Sequence, residues 1–183
     1  MMKVLIFFAD GTEEVEALTP LDYLRRAGAE VLLVGVSGKV QTGSHGIKIE
    51  TDVASSDLDE NTAFDMIVFP GGMPGTLNIE ACAKAQKLLA RAVNENKFIA
   101  AICAAPMILG KAGILSGKNA TCYPGFEKYL AGAKVSRGKA VRDDNIITAT
   151  GAGAANEFAF ELVGALCGDD AAKELAKSVR FTV

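Results

Sequence analysis

The chain has 183 residues, of which 50% are hydrophobic and 22% are charged, and its net charge is −3. This length suffices for one domain with its own core, and we expect a single domain over residues 1–183. The hydrophobic content excludes intrinsic disorder. The acidic balance argues against nucleic acid as a partner, because phosphate binding needs a basic surface.

No apolar segment is long enough to cross a bilayer. The longest run without a polar residue, 98–109, falls short of the roughly 18 residues that a membrane span needs. The apolar stretch 4–9 near the N-terminus is too short for the hydrophobic region of a signal peptide, and acidic residues follow at once. We therefore expect a cytoplasmic protein with no membrane partner.

The cysteines do not form a metal-binding pattern. There is no Cys-x-x-Cys pair, and His45 is the single histidine. We therefore predict no metal site, and free thiols at Cys82, Cys103, Cys122 and Cys167. His45 lies in Gly43-Ser44-His45-Gly46, where a solvated side chain is the ordinary interpretation.

The first predicted elements are a strand and a helix. A nearly continuous apolar run over 3–9 is typical of a strand buried on both faces. Leucines at helical spacing predict a helix over 14–27, ended by Gly28. Pro20 lies inside this helix, and with Thr19 as a cap it predicts a kink or a new helical start.

Strands and helices continue to alternate along the chain. Strands are predicted at 30–36, 66–69, 98–102, 120–122 and 146–149, with a hairpin over 41–52. Helices are predicted at 81–94, 106–111, 155–167 and 169–177. This order predicts an α/β protein with a mostly parallel sheet and helices on both faces. Ligands bind such sheets at the carboxyl ends of the strands, so the residues after each strand are the functional candidates.

Acidic residues and glycines follow two of these strands. Glu13 and Glu14 lie in a first helical turn, where the helix dipole favours negative charge, whereas Glu16 lies further in and can point at the strand ends. The Gly71-Gly72 pair after strand 66–69 can present backbone N–H groups as an oxyanion hole, or be only a tight loop. A phosphate-binding loop is excluded, because its Gly-x-x-x-x-Gly-Lys-Ser/Thr pattern is absent.

Cys103 is the sharpest candidate for a catalytic residue. It follows strand 98–102 directly, with the small residues Ala101 and Ala105 two positions before and after it, as in a nucleophile elbow. The next helix is predicted to begin near Pro106, and its positive end favours a thiolate with a lowered pKa. The other three cysteines are interpreted as buried apolar residues.

These motifs together resemble a known family. The segments Gly11-Thr12-Glu13-Glu14-Val15-Glu16, Pro70-Gly71-Gly72 and Ala100-Ala101-Ile102-Cys103-Ala104-Ala105-Pro106 resemble the ThiJ/PfpI superfamily, in its DJ-one branch of deglycase-like and glyoxalase-like proteins. The resemblance also covers Arg25-Arg26-Ala27-Gly28 and Gly151-Ala152-Gly153. It implies a flavodoxin-like three-layer α/β sandwich and a homodimer.

The resemblance also implies roles for individual residues. Cys103 matches the reactive cysteine, Glu16 matches a protonated glutamate that hydrogen-bonds the sulfur, and Gly72 and Ala104 match the N–H donors of the pocket. It implies an enzyme that needs no cofactor and acts on small aldehydes or glycated groups through a Cys103 hemithioacetal. The alternative is an oxidative-stress sensor or chaperone whose Cys103 is oxidised to sulfinate without turnover.

Two positions depart from the pattern of the relatives. Many of them carry a histidine near the cysteine, where this chain has Tyr123 in Thr121-Cys122-Tyr123-Pro124. A tyrosine, with a pKa of about 10, is a poor base near neutrality, so Tyr123 is expected as a pocket neighbour. Ala104 stands where the protease and heat-shock chaperone branches place histidine, which argues against a peptidase.

Overall fold

A computed structural model describes residues 2–182, which form eleven β-strands and six α-helices. The strands are β1 (Lys3–Phe8), β2 (Glu30–Gly35), β3 (Val40–Thr42), β4 (Lys48–Glu50), β5 (Val53–Ala54), β6 (Met66–Phe69), β7 (Phe98–Ile102), β8 (Asn119–Ala120), β9 (Lys134–Val135), β10 (Ala140–Asp143) and β11 (Ile146–Ala149). The helices are α1 (Glu14–Arg26), α2 (Gly75–Ala81), α3 (Ala83–Asn94), α4 (Pro106–Lys111), α5 (Ala155–Cys167) and α6 (Asp169–Ser178).

Seven strands form one central sheet in the order β10-β11-β7-β6-β1-β2-β5. Its neighbouring strands are parallel, except that β10 pairs antiparallel with β11 at one edge. Alternate residues of β1 point to opposite faces, so Ile6 and Phe8 pack with α1 and α5, while Leu5 and Phe7 pack with α3 and α4. The predicted mostly parallel sheet with helices on both faces is confirmed.

Helix α1 runs through Pro20 without a break. The helix is continuous from Glu14 to Arg26, so a new start at Thr19 is wrong. Proline removes one backbone hydrogen bond, but Ala17, Pro20 and Leu24 are buried, and this packing holds the helix together. Gly28 follows the helix end with φ of 85°, as predicted for a residue that ends a helix.

The helix predicted over 81–94 corresponds to α3, which begins at Ala83 and ends at Asn94. Cys82 is extended and separates α3 from α2, a helix that the sequence did not predict. Helix α2 begins in the glycine-rich loop, where the Thr76 N–H donates to the Gly72 carbonyl at 2.9 Å. Its start therefore depends on the loop conformation and not on an apolar repeat.

The strand predicted at 120–122 covers only Asn119 and Ala120. It pairs with β9, outside the central sheet. It ends because the Thr121 N–H donates to the hydroxyl of Thr148 at 2.9 Å instead of to a neighbouring strand. Strands β5, β9 and β10 were not predicted, whereas β3 and β4 confirm the predicted hairpin.

The strand order decides which loops meet. Strands β1, β6 and β7 lie side by side, so the residues that follow Phe8, Phe69 and Ile102 share one edge of the sheet. Within residues 2–182, no helix combines the length and the apolar character that a membrane crossing requires.

Candidate active site

Cys103 occupies a sharp turn between β7 and α4. Its φ is 66°, in the left-handed region that residues other than glycine rarely adopt. The backbone is held there from both sides, because the Cys103 N–H donates to the Ala149 carbonyl at 2.9 Å and the Tyr123 N–H donates to the Cys103 carbonyl at 2.8 Å. Helix α4 begins at Pro106, as expected. The geometry is that of a nucleophile elbow.

Glu16 reaches this elbow from α1 and is fully buried. Its Oε2 accepts a hydrogen bond from the Gly71 N–H at 2.9 Å, while its Oε1 is buried without a hydrogen-bond partner. A Cβ atom on Gly71 would lie 2.6 Å from both Glu16 Oε2 and Cys103 Cβ. The backbone of Gly71 therefore sits between the two side chains, and only glycine fits there.

Burial raises the pKa of both ionisable side chains of this site, Glu16 and Cys103. Burial raises the pKa of Glu16 from 4.5 to about 7, although hydrogen bonds from Cys103 and Gly71 oppose this rise. Burial also raises the pKa of Cys103 to about 12, and the charge of Glu16 adds to that rise. The lowered Cys103 pKa expected from the helix end is therefore wrong, because burial and a neighbouring carboxylate outweigh the helix.

Backbone N–H groups surround the sulfur as the resemblance implies. Those of Gly72 and Ala104 both lower the pKa of Cys103, because each donates towards the sulfur and favours its anion. Gly72 has a φ of 87°, and a Cβ atom there would lie 2.4 Å from the Glu13 nitrogen. The tight approach of two loops thus fixes the direction of these donors, which converge where negative charge would develop in a reaction.

Tyr123 lies beside the same opening. A Cβ atom on Gly151 would be 3.2 Å from Tyr123 Cδ2 and 3.8 Å from Cys103 Sγ. The tyrosine side chain is 51% exposed, so it borders the approach to the sulfur from solvent. The structure thus brings together Cys103, Glu16 and Tyr123, with the predicted N–H donors around the sulfur.

Sequence reasoning missed two glycines of this site. The sequence predicts Gly71 only as one of two glycines that form an oxyanion hole or a tight loop, whereas in the structure its N–H holds the Glu16 carboxylate. Gly151 was noted for the resemblance alone, and it forms the surface next to the sulfur. Glycines two positions after the ends of buried strands, at 71 and 151, were the available signal.

The remaining cysteines correspond only in part to their prediction as buried residues. Cys122 is buried, Cys82 is half-buried and Cys167 is exposed, because it lies at the end of α5 on the protein surface. All are free thiols, as expected. Burial raises the pKa of Cys122 to about 11 and also raises that of Cys167.

His45 is exposed, as predicted, but it is not isolated. Its Nδ1 lies 3.1 Å from Glu14 Oε2 and 3.4 Å from Glu13 Oε1. Glu14 lies in the first turn of α1, as predicted, but it is buried, so the favourable helix dipole is not its whole role.

A cysteine elbow, a buried carboxyl and converging N–H donors at the carboxyl edge of a parallel sheet define an α/β protein with a candidate active site centred on a cysteine. Residues 2–165 match the DJ-1/PfpI family, and the chain belongs to that family. It is similar to the oxidized DJ-1 of Toxoplasma gondii, with a TM-score of 0.95 and 34% identity over 100% of both chains, which confirms the flavodoxin-like fold.

The chain is also similar in sequence to named relatives. It is 40% identical to the DJ-1 homolog B of Arabidopsis thaliana over 95% of this chain and 40% of that protein. It is 36% identical to a deglycase of Pyrococcus abyssi (73% of this chain, 80% of that one) and 34% identical to a glutathione-independent glyoxalase of Caenorhabditis elegans (92% and 90%). The names of these last two proteins are those of enzymes.

Proposed function

We propose that this protein is a cysteine-dependent enzyme that acts on reactive carbonyl compounds, either small dicarbonyls such as methylglyoxal or glycated groups. One observation carries the proposal: Cys103 lies on a strained elbow between the N–H donors of Gly72 and Ala104 and the buried carboxyl of Glu16. Relatives named deglycase and glyoxalase support this substrate class.

The first step is addition of Cys103 to the aldehyde carbon. The sulfur forms a bond to this carbon, the carbonyl electron pair moves to oxygen, and the thiol proton moves to the Glu16 carboxylate. The N–H groups of Gly72 and Ala104 stabilise the oxyanion. A carboxyl with a pKa of about 7 is suited to this transfer at neutral pH, because both its protonation states are populated.

The second step is an internal oxidation and reduction. Glu16 first gives the thiol proton to the oxyanion, which becomes a hydroxyl group. The regenerated carboxylate then moves a proton from the former aldehyde carbon to the neighbouring carbonyl carbon, with the electron pair transferred through an enediol. The former aldehyde carbon becomes a thioester and its neighbour becomes an alcohol. Water then cleaves the thioester, which releases a 2-hydroxy acid and restores the Cys103 thiol. The sequence of steps needs no cofactor.

The direct test measures lactate released from methylglyoxal. The wild-type chain should form lactate, and Cys103→Ser and Glu16→Gln should both abolish it. Cys167→Ser, which removes an exposed thiol far along the chain, is the matched control and should retain full activity. Equal rates for the wild type and Cys103→Ser would refute the proposal. A glycated amino acid assayed in parallel distinguishes a deglycase from a glyoxalase.

The alternative function is oxidation sensing. The similarity of this chain to the oxidized DJ-1 of Toxoplasma gondii supports it, because that relative is a protein of the same family in an oxidized form. In this alternative, a peroxide transfers oxygen to Cys103 twice to give a sulfinate, and protonated Glu16 donates a hydrogen bond to it. A wild-type chain that gains two oxygen atoms on Cys103 under dilute peroxide, but releases no lactate, would favour the sensor.

We also propose that the active form is a homodimer, as the resemblance implies. Exposed apolar side chains on α1 and the β3–β4 hairpin, Val15 and Ile47, support a covered surface in this region. Light scattering after size-exclusion chromatography should give about twice the chain mass of 19.1 kDa. A molar mass of one chain would refute the dimer without affecting the proposed chemistry.

A further inference from the structure

A second group of reactive side chains lies at the start of α1, outside the Cys103 site. His45 Nδ1 is 3.1 Å from Glu14 Oε2 and 3.4 Å from Glu13 Oε1. The Ser44 hydroxyl oxygen is 3.0 Å from both Glu13 Oε2 and His45 Nδ1, and 3.2 Å from Glu14 Oε2. One ligand atom from each of Glu13, Glu14 and His45 lies within 4.8 Å of the others.

The charges in this cluster are not balanced by ordinary ion pairs. The Glu14 side chain is only 4% exposed, and a second carboxylate lies next to it. In the described chain, 2–182, neither Glu13 nor Glu14 pairs with a lysine or arginine, and His45 is their one ionic partner. Buried carboxylates are normally paired with a cation or coordinate a metal, so the arrangement is suited to a bound cation.

The backbone holds the cluster in place before any ligand binds. Backbone N–H groups of His45 and Ile47 donate to Glu14 Oε1 at 2.9 and 3.4 Å, which leaves Oε2 facing the imidazole. The Ser44 N–H donates to the Thr12 carbonyl at 2.8 Å and fixes the hairpin against the start of α1. A Cβ atom on Gly43 would lie 2.2 Å from Glu14 Oε1, so the hairpin needs glycine to approach this closely.

From this geometry we propose that Glu13, Glu14 and His45 bind one divalent transition-metal ion of the Zn²⁺ class. Tetrahedral zinc with bonds of about 2.1 Å separates its ligand atoms by about 3.4 Å, close to the distances around His45 Nδ1. Imidazole nitrogen and carboxylate oxygen are both zinc ligands, and three of them leave the fourth position to water or the Ser44 hydroxyl. The proposed carbonyl chemistry uses none of these side chains.

The sequence predicted no metal site, because its cysteines lack metal-binding spacing and it has a single histidine. This site needs no cysteine, and its ligands are about thirty positions apart in the chain, from Glu14 to His45. Only the contact of the β3–β4 hairpin with α1 brings them together. Bound metal would join these two elements.

The single histidine permits a direct test by NMR. A full-length chain free of any added histidine carries one imidazole, whose ring nitrogen signals report metal binding at Nδ1 or Nε2. We use ZnCl₂ as the probe and the Cys103→Ser background, which removes the reactive thiol as a competing ligand. The Nδ1 signal should shift and saturate at one equivalent of Zn²⁺.

Matched variants locate the other ligands. Glu13→Gln should weaken Zn²⁺ affinity by more than about tenfold, since it removes a direct ligand. Glu50→Gln removes an exposed carboxylate from the same hairpin and should leave affinity unchanged. His45→Asn should abolish the Zn²⁺-dependent rise in melting temperature. This test leaves the buried Glu14 in place, so it does not depend on whether Glu14→Gln folds. An unmoved Nδ1 signal, or equal affinities for Glu13→Gln and Glu50→Gln, would overturn the proposal.

Discussion

Replacement of Glu16 by glutamine should change how stability depends on pH. The Glu16 carboxyl is fully buried, and burial raises its pKa from 4.5 to about 7. In the unfolded chain the carboxyl ionises near its usual pKa. Between these two values the folded protein therefore binds more protons than the unfolded chain, so the free energy of unfolding falls as pH rises.

The size of this fall follows from the two pKa values. A pKa that rises from 4.5 to about 7 corresponds to a loss of about 3 kcal/mol in stability, because each tenfold change in affinity for the proton is worth about 1.4 kcal/mol. The contribution is fully present below pH 4.5 and is lost as the pH passes about 7. Glutamine has the shape of the protonated acid and cannot ionise, so the variant should not lose this stability.

Urea denaturation of both chains across this pH range measures the effect. The variant should gain about 3 kcal/mol relative to the wild type between about pH 4 and about pH 8. Glu14, whose pKa hydrogen bonds lower from 4.5 to about 2, contributes equally to both chains, so its titration cancels when the two chains are compared. Parallel stability curves for the two chains would show that Glu16 ionises normally in the folded protein and would refute the reasoning.

Three further predictions concern the same site. Glu16→Gln should accelerate alkylation of Cys103 by iodoacetamide, because the Glu16 charge raises the Cys103 pKa; unchanged labelling measured by mass spectrometry would contradict this coupling. Tyr123→His should change kcat/KM for methylglyoxal by less than about a hundredfold if Glu16 alone transfers protons, and a larger gain would show that an imidazole was needed. Gly72→Ala should destabilise the fold by more than Gly28→Ala does, and thermal melts should show a loss of about 1 kcal/mol for Gly28→Ala. Both glycines have a φ near 85°, but only at Gly72 would the added Cβ contact backbone atoms. Equal losses of stability in the two glycine variants would refute the steric argument.

The local sequence predicts much of the secondary structure of this protein. The strands 66–69, 98–102 and 146–149 and the helices 106–111 and 155–167 have the predicted bounds. In these segments, continuous apolar runs and capping residues act over neighbouring positions, so the pattern contains the needed information. Strands β5 and β9 were missed, because they pair with β2 and β8, which lie well before them in the chain. Helix α2 and strand β10 were also missed, although their hydrogen bonds are local, because neither segment has a clear apolar repeat.

The candidate site divides in the same way. The elbow at Cys103 and the glycine pair before α2 could be recognised by residue type, since a strained turn and a close backbone approach require small residues at fixed spacing. The direction in which the Cys103 pKa shifts could not be recognised from residue type. It depends on the burial of the sulfur and on its distance from Glu16, which lies 87 positions earlier in the chain. Likewise, the sequence predicts His45 as a solvated loop residue, and only the folded hairpin places it next to Glu14. Sequence therefore determined which groups are available and where the chain turns, whereas the tertiary structure decided which charges meet and how much water surrounds them, because desolvation and Coulomb energies depend on distances in space.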